Sequence, residues 1–172
     1  MMDFLKEVNQ RSGQQVQLCF QCFKCSLGCP VAFDMDYLPH QLIRLVQLGE
    51  RDKVLGSHAI WICAACETCT TRCPNDIDIA RVIDTLRQMS LETNKTSEPD
   101  IVAFHKSFME TVRYLGKAHE VGMMLTYKLR TKRFFDDLWL APELFKRGKL
   151  SFKINRVKDL GEIKQIFDRA GT

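Results

Sequence analysis

The sequence predicts a mostly helical protein whose helices surround two cysteine-rich loops. Apolar residues recur at helical spacing in several segments, and residues that typically begin or end helices flank these segments. All of the cysteines lie in two runs of identical spacing, and a proline follows each run. The eight positions are Cys19, Cys22, Cys25 and Cys29 in the first run and Cys63, Cys66, Cys69 and Cys73 in the second.

The spacing of each run, C-x2-C-x2-C-x3-C-P, is that of bacterial ferredoxins with two iron–sulfur clusters. Three cysteines at this spacing can reach three irons of one [4Fe–4S] cluster, and the fourth iron needs a thiolate from elsewhere. We therefore predict that the fourth cysteine of each run crosses to the other cluster. Cluster one is then bound by Cys19, Cys22, Cys25 and Cys73, and cluster two by Cys63, Cys66, Cys69 and Cys29.

Zinc and disulfides are weaker interpretations of the same cysteines. A structural zinc site usually takes paired C-x2-C units separated by a longer span, whereas each run has three closely spaced cysteines and a fourth. Disulfides need an oxidising compartment, and the polar residues at 1–7 do not resemble an export signal. We therefore expect a cytoplasmic protein. No apolar run approaches about 20 residues, so no membrane span is predicted.

The helices of the first half are predicted in chain order. Residues 3–10 are expected to form a short amphipathic turn, and residues 11–18 a connector. Between the cysteine runs, a helix with Asp36 as its cap is predicted to end at Gly49, and a shorter helix should cover about 52–58. The apolar face of the longer helix consists of Leu38, Leu42, Leu45 and Val46.

Further helices are predicted after the second run. Asp78 should cap a helix from Ile79 to about Glu92, and a helix beginning near Ser97 should end at Gly116. The remaining helices are expected at about 120–129, 133–148 and 159–170. The apolar face of the helix that ends at Gly116, which we expect to be buried, consists of Phe104, Phe108, Val112 and Leu115.

The charge distribution differs between the two ends of the chain. Residues 1–99 contain 10 Lys and Arg against 12 Asp and Glu, whereas residues 100–172 contain 15 against 9. We predict a two-cluster domain at 1–96 and a basic helical extension at 97–172, which either docks a partner or forms a solvated face. No nucleic-acid-binding motif accompanies this charge, so nucleic acid is not predicted as a partner.

Few other residues suggest chemistry, and no catalytic residue is predicted. Gly28 and Arg72 occupy the same position in the two runs, so the surroundings of the clusters should differ. Gly28 is expected either to let the backbone approach cluster one or simply to form a turn. The four histidines show no metal-ligand spacing and are expected to be structural: His40, His58, His105 and His119.

The two runs and their flanks resemble the family of heterodisulfide reductase C subunits, within the α-helical ferredoxin fold. The resemblance implies a mostly α fold, an α-helical ferredoxin with two [4Fe–4S] clusters plus a C-terminal helical extension. Phe23 stands where many members have glycine, and we hypothesise that it alters solvent access to cluster one. The segments that carry the resemblance are 19–30, 42–46, 61–74 and 79–87, with 103–108, 116–122 and 146–150 in the tail.

This resemblance implies a non-catalytic electron-transfer subunit of an oxidoreductase complex. In the family, the C subunit carries electrons between the A subunit, which contains flavin and iron–sulfur clusters, and the B subunit, where the disulfide is reduced. One alternative is the electron-transfer subunit of another dehydrogenase or quinone-linked complex with the same fold. A second alternative is a structural metal-binding module that organises an assembly, which would not need reversibly reducible clusters.

Overall fold

A computed structural model describes residues 2–93, 95–132, 146, 157 and 160–170 of the 172-residue chain. These residues form helices and short 3₁₀ turns and contain no β-strand, which confirms the mostly helical fold class. The chain divides into two compact units, Met1–Glu98 and Pro99–Thr172. The helix predicted at 133–148 lies outside the described residues, except for position 146.

In residues 2–93 and 95–98, the first unit contains seven α-helices, three of which have ten or more residues. Two 3₁₀ turns, Val16–Leu18 and Ala32–Asp34, lie between them. The α-helices are α1 (Met2–Ser12), α2 (Lys24–Leu27), α3 (Pro39–Leu48), α4 (Arg51–Leu55), α5 (Ala59–Ile62), α6 (Thr68–Thr71) and α7 (Ile79–Glu92).

The core of the first unit lies where α1 packs against α3 and α7. Every residue of the predicted apolar face of α7 is buried, and burial of each such side chain stabilises the fold by about 1.5–3 kcal/mol. From α1, Phe4 and Val8 point into the same core. The buried face of α7 consists of Ile79, Val82, Ile83, Leu86 and Met89.

Helix α1 is longer than the short turn that the sequence predicts. Its last residue, Ser12, is fully buried, and its hydroxyl donates a hydrogen bond of 2.6 Å to the carbonyl oxygen of Val8. The chain leaves the helix at Gly13, where φ is +68°, a left-handed conformation that favours glycine. The connector predicted at 11–18 therefore begins later and includes a 3₁₀ turn.

The predicted ends of α7 and α3 are largely confirmed, with one exception. Asp78 caps α7, because its Oδ1 accepts a hydrogen bond of 2.9 Å from Arg81 N. Helix α3 is followed by Gly49 at φ 77°. The prediction that Asp36 caps α3 was wrong. Its carboxylate instead accepts from the backbone N–H groups of His58 (3.0 Å) and Ala59 (2.7 Å), where α5 begins. A single sequence cannot show which helix start a carboxylate reaches after folding.

The second unit contains α8 (Pro99–Leu115), α9 (Glu120–Thr131) and α10 (Leu160–Ala170). The expectation that Phe104 and Phe108 lie on a buried face was wrong, because their exposed fractions are 43% and 38%. The buried positions of α8 instead include two small polar residues, Ser107 and Thr111. Small side chains let α8 and α9 approach closely, and each hydroxyl bonds to a carbonyl within its own helix.

Across the described ranges, no helix is long and apolar enough to cross a membrane.

Candidate metal centre

The two cysteine runs fold into loops of the same shape. In each loop, the second and fourth residues after the first cysteine are left-handed, with φ of 60° and 65° at Gln21 and Phe23 and 49° and 58° at Ala65 and Glu67. Left-handed backbone is strained for residues other than glycine, so its recurrence at matching positions indicates a shared constraint. A four-residue helix, α2 or α6, follows and carries the buried third cysteine of each run.

The helix after each run is attached to its loop by a matched hydrogen bond. Ser26 and Thr70 directly follow the third cysteine of their runs. The hydroxyl of Ser26 accepts from the N–H of His40 at 3.2 Å, and that of Thr70 accepts from the N–H of Ala80 at 3.4 Å. Because His40 and Ala80 are the second residues of α3 and α7, the two helices occupy equivalent positions relative to the loops.

A second matched contact comes from the ninth residue of each helix. Gln47 Nε2 donates to the carbonyl oxygens of Val16 and Cys19, both at 3.0 Å. Arg87 likewise donates from Nε to the carbonyl of Ile60 and from Nη2 to that of Cys63. In both halves the acceptors are the first cysteine and the residue three positions before it. The first unit therefore contains an internal repeat that includes helices as well as the cysteine spacing.

A small cavity that is open to solvent on one side lies at the second run. Its lining brings Cys29 of the first run together with three cysteines of the second: Cys63, Cys66 and Cys69. Four thiols are the donor set of a [4Fe–4S] cluster, so the residues present fit this group. The remaining lining is mostly apolar, with Glu67 as its one charged residue: Val31, Met35, Pro39, Ala64, Glu67, Ala80 and Ile83.

The first run has a corresponding set of contacts. Cys19 and Cys22 lie close enough to Cys25 to act electrostatically on its thiol. Asn75, two residues after Cys73, donates a hydrogen bond to the carbonyl oxygen of Leu18, next to Cys19. This bond holds the end of the second run beside the beginning of the first. Within the described residues, which include every cysteine, no group of three His, Cys, Asp or Glu side chains is arranged to hold a single metal ion.

The thiols of the second run differ in their acidity. Burial raises the pKa of Cys69 to about 11. Burial also raises the pKa of Cys63, and the charge of Arg87 opposes this rise. The pKa of exposed Cys66 is lowered, mainly by its hydrogen bond with Thr68. Buried thiols with a raised pKa are protonated at neutral pH, so binding of iron to them must displace protons.

Polar side chains inside the runs lie close to three of the sulfur atoms. Gln21 Nε2 lies 3.4 Å from Cys19 Sγ, Ser26 Oγ lies 3.9 Å from Cys25 Sγ, and Thr68 Oγ1 lies 3.4 Å from Cys66 Sγ. Hydrogen bonds to cluster sulfurs are one means by which a protein sets a potential. Sequence reasoning did not identify these residues, although their place within the runs was a usable signal.

Residues outside the runs were missed for a different reason. Gln47 and Arg87 lie on helices, far from the cysteines in sequence, and only the folded repeat shows their contact with the loops. His40 is a further case: its Nδ1 lies 2.7 Å from Ser26 Oγ, and its ring packs against Phe23 at a tilt of 60°, with centroids 4.4 Å apart. The His40 side chain thus contacts two residues of the first loop.

Gly28 makes room for a side chain from the other run. A Cβ atom at Gly28 would lie 2.7 Å from Cδ, Nε and Nη1 of Arg72. The two positions that the sequence marks as different are therefore neighbours in space. The close approach that the structure shows at Gly28 is that of the Arg72 side chain.

Comparison with known proteins agrees with this geometry. A family model described as a 4Fe-4S dicluster domain matches residues 15–77, which contain all eight cysteines. The C subunit of ferredoxin:CoB-CoM heterodisulfide reductase from Methanosarcina mazei is 31% identical over 144 residues, which cover 83% of this chain and 81% of the relative. The chain belongs to the family of heterodisulfide reductase C subunits. Its cofactors are two [4Fe–4S] clusters, and its role is iron–sulfur electron transfer.

Other members of this family match over shorter segments. The C2 subunit of H(2)/formate:CoB-CoM heterodisulfide,ferredoxin reductase from Methanococcus maripaludis is 35% identical over 112 residues, 65% of this chain and 56% of the relative. The C subunit of H(2):CoB-CoM heterodisulfide,ferredoxin reductase from Methanothermobacter thermautotrophicus is 31% identical over 85 residues, 49% and 46%. The chain thus spans about half the length of these two relatives. The family resemblance predicted from the sequence is confirmed.

Proposed function

We propose that this chain is the electron-relay subunit of a cytoplasmic heterodisulfide-reductase-like complex. Single electrons pass through it between an A subunit that contains flavin and iron–sulfur clusters and a B subunit that reduces the disulfide. The two clusters supply the one-electron chemistry when bound. The residues of the chain bind the clusters, set their surroundings and offer surfaces to the neighbouring subunits.

The proposal includes the crossed set of ligands. Cys19, Cys22, Cys25 and Cys73 bind cluster one, and Cys63, Cys66, Cys69 and Cys29 bind cluster two. The observation that supports this assignment most directly is the cavity at which Cys29 meets three cysteines of the other run. A crossed arrangement also brings the two clusters close together, as a one-electron relay requires.

Exposed apolar side chains at the first run support the presence of a protein neighbour there. Phe33 and Leu27 are 88% and 83% exposed, although both are strongly apolar. Such side chains in one stretch of chain are typical of surfaces that another protein covers. The further members of this stretch are Leu18, Phe20 and Phe23. The basic extension at 97–172 is the second proposed docking segment.

Anaerobic purification with iron and acid-labile sulfide analysis, followed by EPR of the dithionite-reduced protein, tests this function. We expect about eight irons and eight sulfides per chain and the spectrum of two interacting reduced clusters. Zinc in place of iron, or iron that cannot be reduced, would make the protein a structural module instead.

A truncation tests the docking role of the basic segment. Deletion of residues 146–172 should weaken co-purification with the partner subunits while the iron content stays unchanged. Unchanged co-purification would remove this segment from the proposed docking surfaces but leave the relay in place.

A further inference from the structure

The internal repeat places a neutral side chain and a charged one at the same structural position. Gln47 and Arg87 are each the ninth residue of the helix that follows a run, and each donates two hydrogen bonds to equivalent carbonyl groups. One of these carbonyls belongs to the first cysteine of the run, Cys19 or Cys63. The backbone geometry is thus the same in both halves, whereas the charge beside the first ligand is not.

The guanidinium of Arg87 is well placed to act on its loop. Its side chain is only 21% exposed, so water screens it less than a surface charge. It also contacts the backbone of a proposed cluster ligand directly, at Cys63. A cluster gains one negative charge on reduction, and a nearby cation favours the more negative form.

We infer that Arg87 is a positioning residue whose charge makes the second-run centre easier to reduce than it would be beside a neutral side chain, such as Gln47 at the equivalent place of the first run. The inference rests on the proposed function, because it takes the cysteines of the two runs to bind two clusters. With both clusters bound, the step that Arg87 would favour is transfer of one electron from the first-run centre to the second-run centre, in which no bond or proton changes place.

Other charges near the two loops are weaker discriminators because they are more exposed. Asp84 lies 3.4 Å from Arg87 Nη1, but its side chain is 64% exposed. Arg44 is exposed. Its guanidinium donates to the side-chain oxygen of Gln47, which in turn contacts the first loop. Lys24 and Glu67 are exposed within the runs. Solvent and salt screen such groups, so each has a smaller effect than the half-buried guanidinium.

Arg72 lies close to both halves, so its charge does not distinguish the two centres. Its side chain contacts Gly28, the residue before Cys29, and Arg72 itself directly precedes Cys73. It is therefore close to one crossing ligand of each proposed cluster. Its charge acts on both centres, whereas Arg87 lies beside one.

Redox titrations of chains that retain one cluster test the inference. Cys22→Ala removes a first-run ligand and leaves the second-run centre, and Cys66→Ala leaves the first-run centre. In the Cys22→Ala background, we expect Arg87→Gln to lower the equilibrium constant for reduction about tenfold, or about 59 mV for a one-electron couple. In the Cys66→Ala background, the same substitution should change the equilibrium constant for reduction of the first-run centre by less than about twofold.

Two further variants separate charge from structure. Arg87→Lys retains the charge and should recover most of the potential, although it loses the two-carbonyl geometry. Arg81→Gln removes the same charge from an exposed position of the same helix and should leave both potentials unchanged. If the Arg87→Gln chain does not retain iron, the Gln47→Arg variant is titrated in its place. This variant should make the first-run centre easier to reduce.

The outcomes distinguish this inference from the proposed function. Wild-type protein without iron, or with iron that cannot be reduced, overturns the proposed function and the inference together. Variants with about four irons per chain and unchanged second-run potentials overturn the inference alone. An equal shift for Arg81→Gln would also overturn it, because the effect would then be one of overall charge.

Discussion

The two cysteine runs of the first unit have the same backbone path but very different side chains around it. Left-handed residues, short helices and helix-to-loop hydrogen bonds recur at matching positions in both. Around the first run, Phe20, Leu27 and Phe33 are exposed. The second run instead carries Glu67 and Arg72. The comparison shows that the same loop backbone forms with different side chains around it, so the surroundings of each cluster can differ.

The largest expected effect tests whether the fourth cysteines cross between the runs. Cys29→Ala combined with Cys66→Ala should leave about four irons per chain, because both residues are proposed ligands of cluster two. Cys29→Ala combined with Cys22→Ala should leave almost none, because each cluster then lacks a ligand. Iron and sulfide analysis after anaerobic purification measures the cluster content of both double variants.

The reverse pattern in these double variants would show that each run binds its own cluster. The single variants Cys29→Ala and Cys73→Ala serve as controls. Each should retain about four irons per chain if one cluster can persist without the other.

The next effect compares equivalent core positions of the two repeats. Ile43 and Ile83 are the fifth residues of α3 and α7, and each is 1% exposed. Replacement of either by alanine should lower the free energy of unfolding by about 2–5 kcal/mol, through lost burial and the remaining cavity. Urea unfolding of the anaerobic protein measures this loss. A loss below about 1 kcal/mol at one position would mean that the halves are not equally packed.

A smaller effect concerns the equivalent left-handed residues Phe23 and Glu67. Glu67→Gly should stabilise the protein by up to about 1 kcal/mol, because glycine adopts positive φ without strain. Phe23→Gly relieves the same strain but loses the tilted ring contact with His40, so its net gain should be smaller. The difference between the free energies of unfolding of the two variants measures the contribution of the Phe23–His40 contact.

The same variants test the hypothesis that Phe23 alters solvent access to cluster one. Unchanged potentials in Phe23→Gly would contradict it. An equal gain in stability for both glycine variants would show that the Phe23–His40 contact contributes nothing.

The smallest effect concerns Gly28 and Arg72. Gly28→Ala places a methyl group where the Arg72 side chain lies, but this side chain is exposed and can move away. We therefore expect a stability change within about 0.5 kcal/mol. Thermal unfolding checks this, with Arg72→Ala as the matched variant. A loss above about 1 kcal/mol would show that Arg72 cannot leave its position.

Local signals allowed much of this fold to be predicted from the sequence. Helix α7 was predicted with both of its ends, because Asp78 and the apolar face of the helix are adjacent in the chain. Errors arose where a partner distant in sequence decides the outcome. Asp36 caps α5 and not α3, and Ser107 is buried in place of Phe108, because helix–helix approach favours small side chains.

The cysteine spacing indicated two [4Fe–4S] clusters, since ligand spacing follows the geometry of the cluster. The residues that support the ligands could not be found in this way. Gln47 and Arg87 contact their loops through backbone carbonyl groups. Every residue has such a group, so a sequence motif does not show which ones are contacted. Only the match between the contacts of one half and those of the other shows that they are equivalent.

The matched contacts also have a consequence for how the chain folds. Gln47 bonds to a carbonyl 28 residues away, and Arg87 to one 24 residues away, so each of these bonds closes within one half. The bond from Asn75 to Leu18 spans 57 residues and joins one half to the other. Helical proteins rich in short-range contacts reach their transition state quickly, because little loop-closure entropy is lost. The bonds of Gln47 and Arg87 therefore close short loops at low entropic cost, whereas the packing of α1 on α7 and the Asn75–Leu18 bond form only when both halves are present.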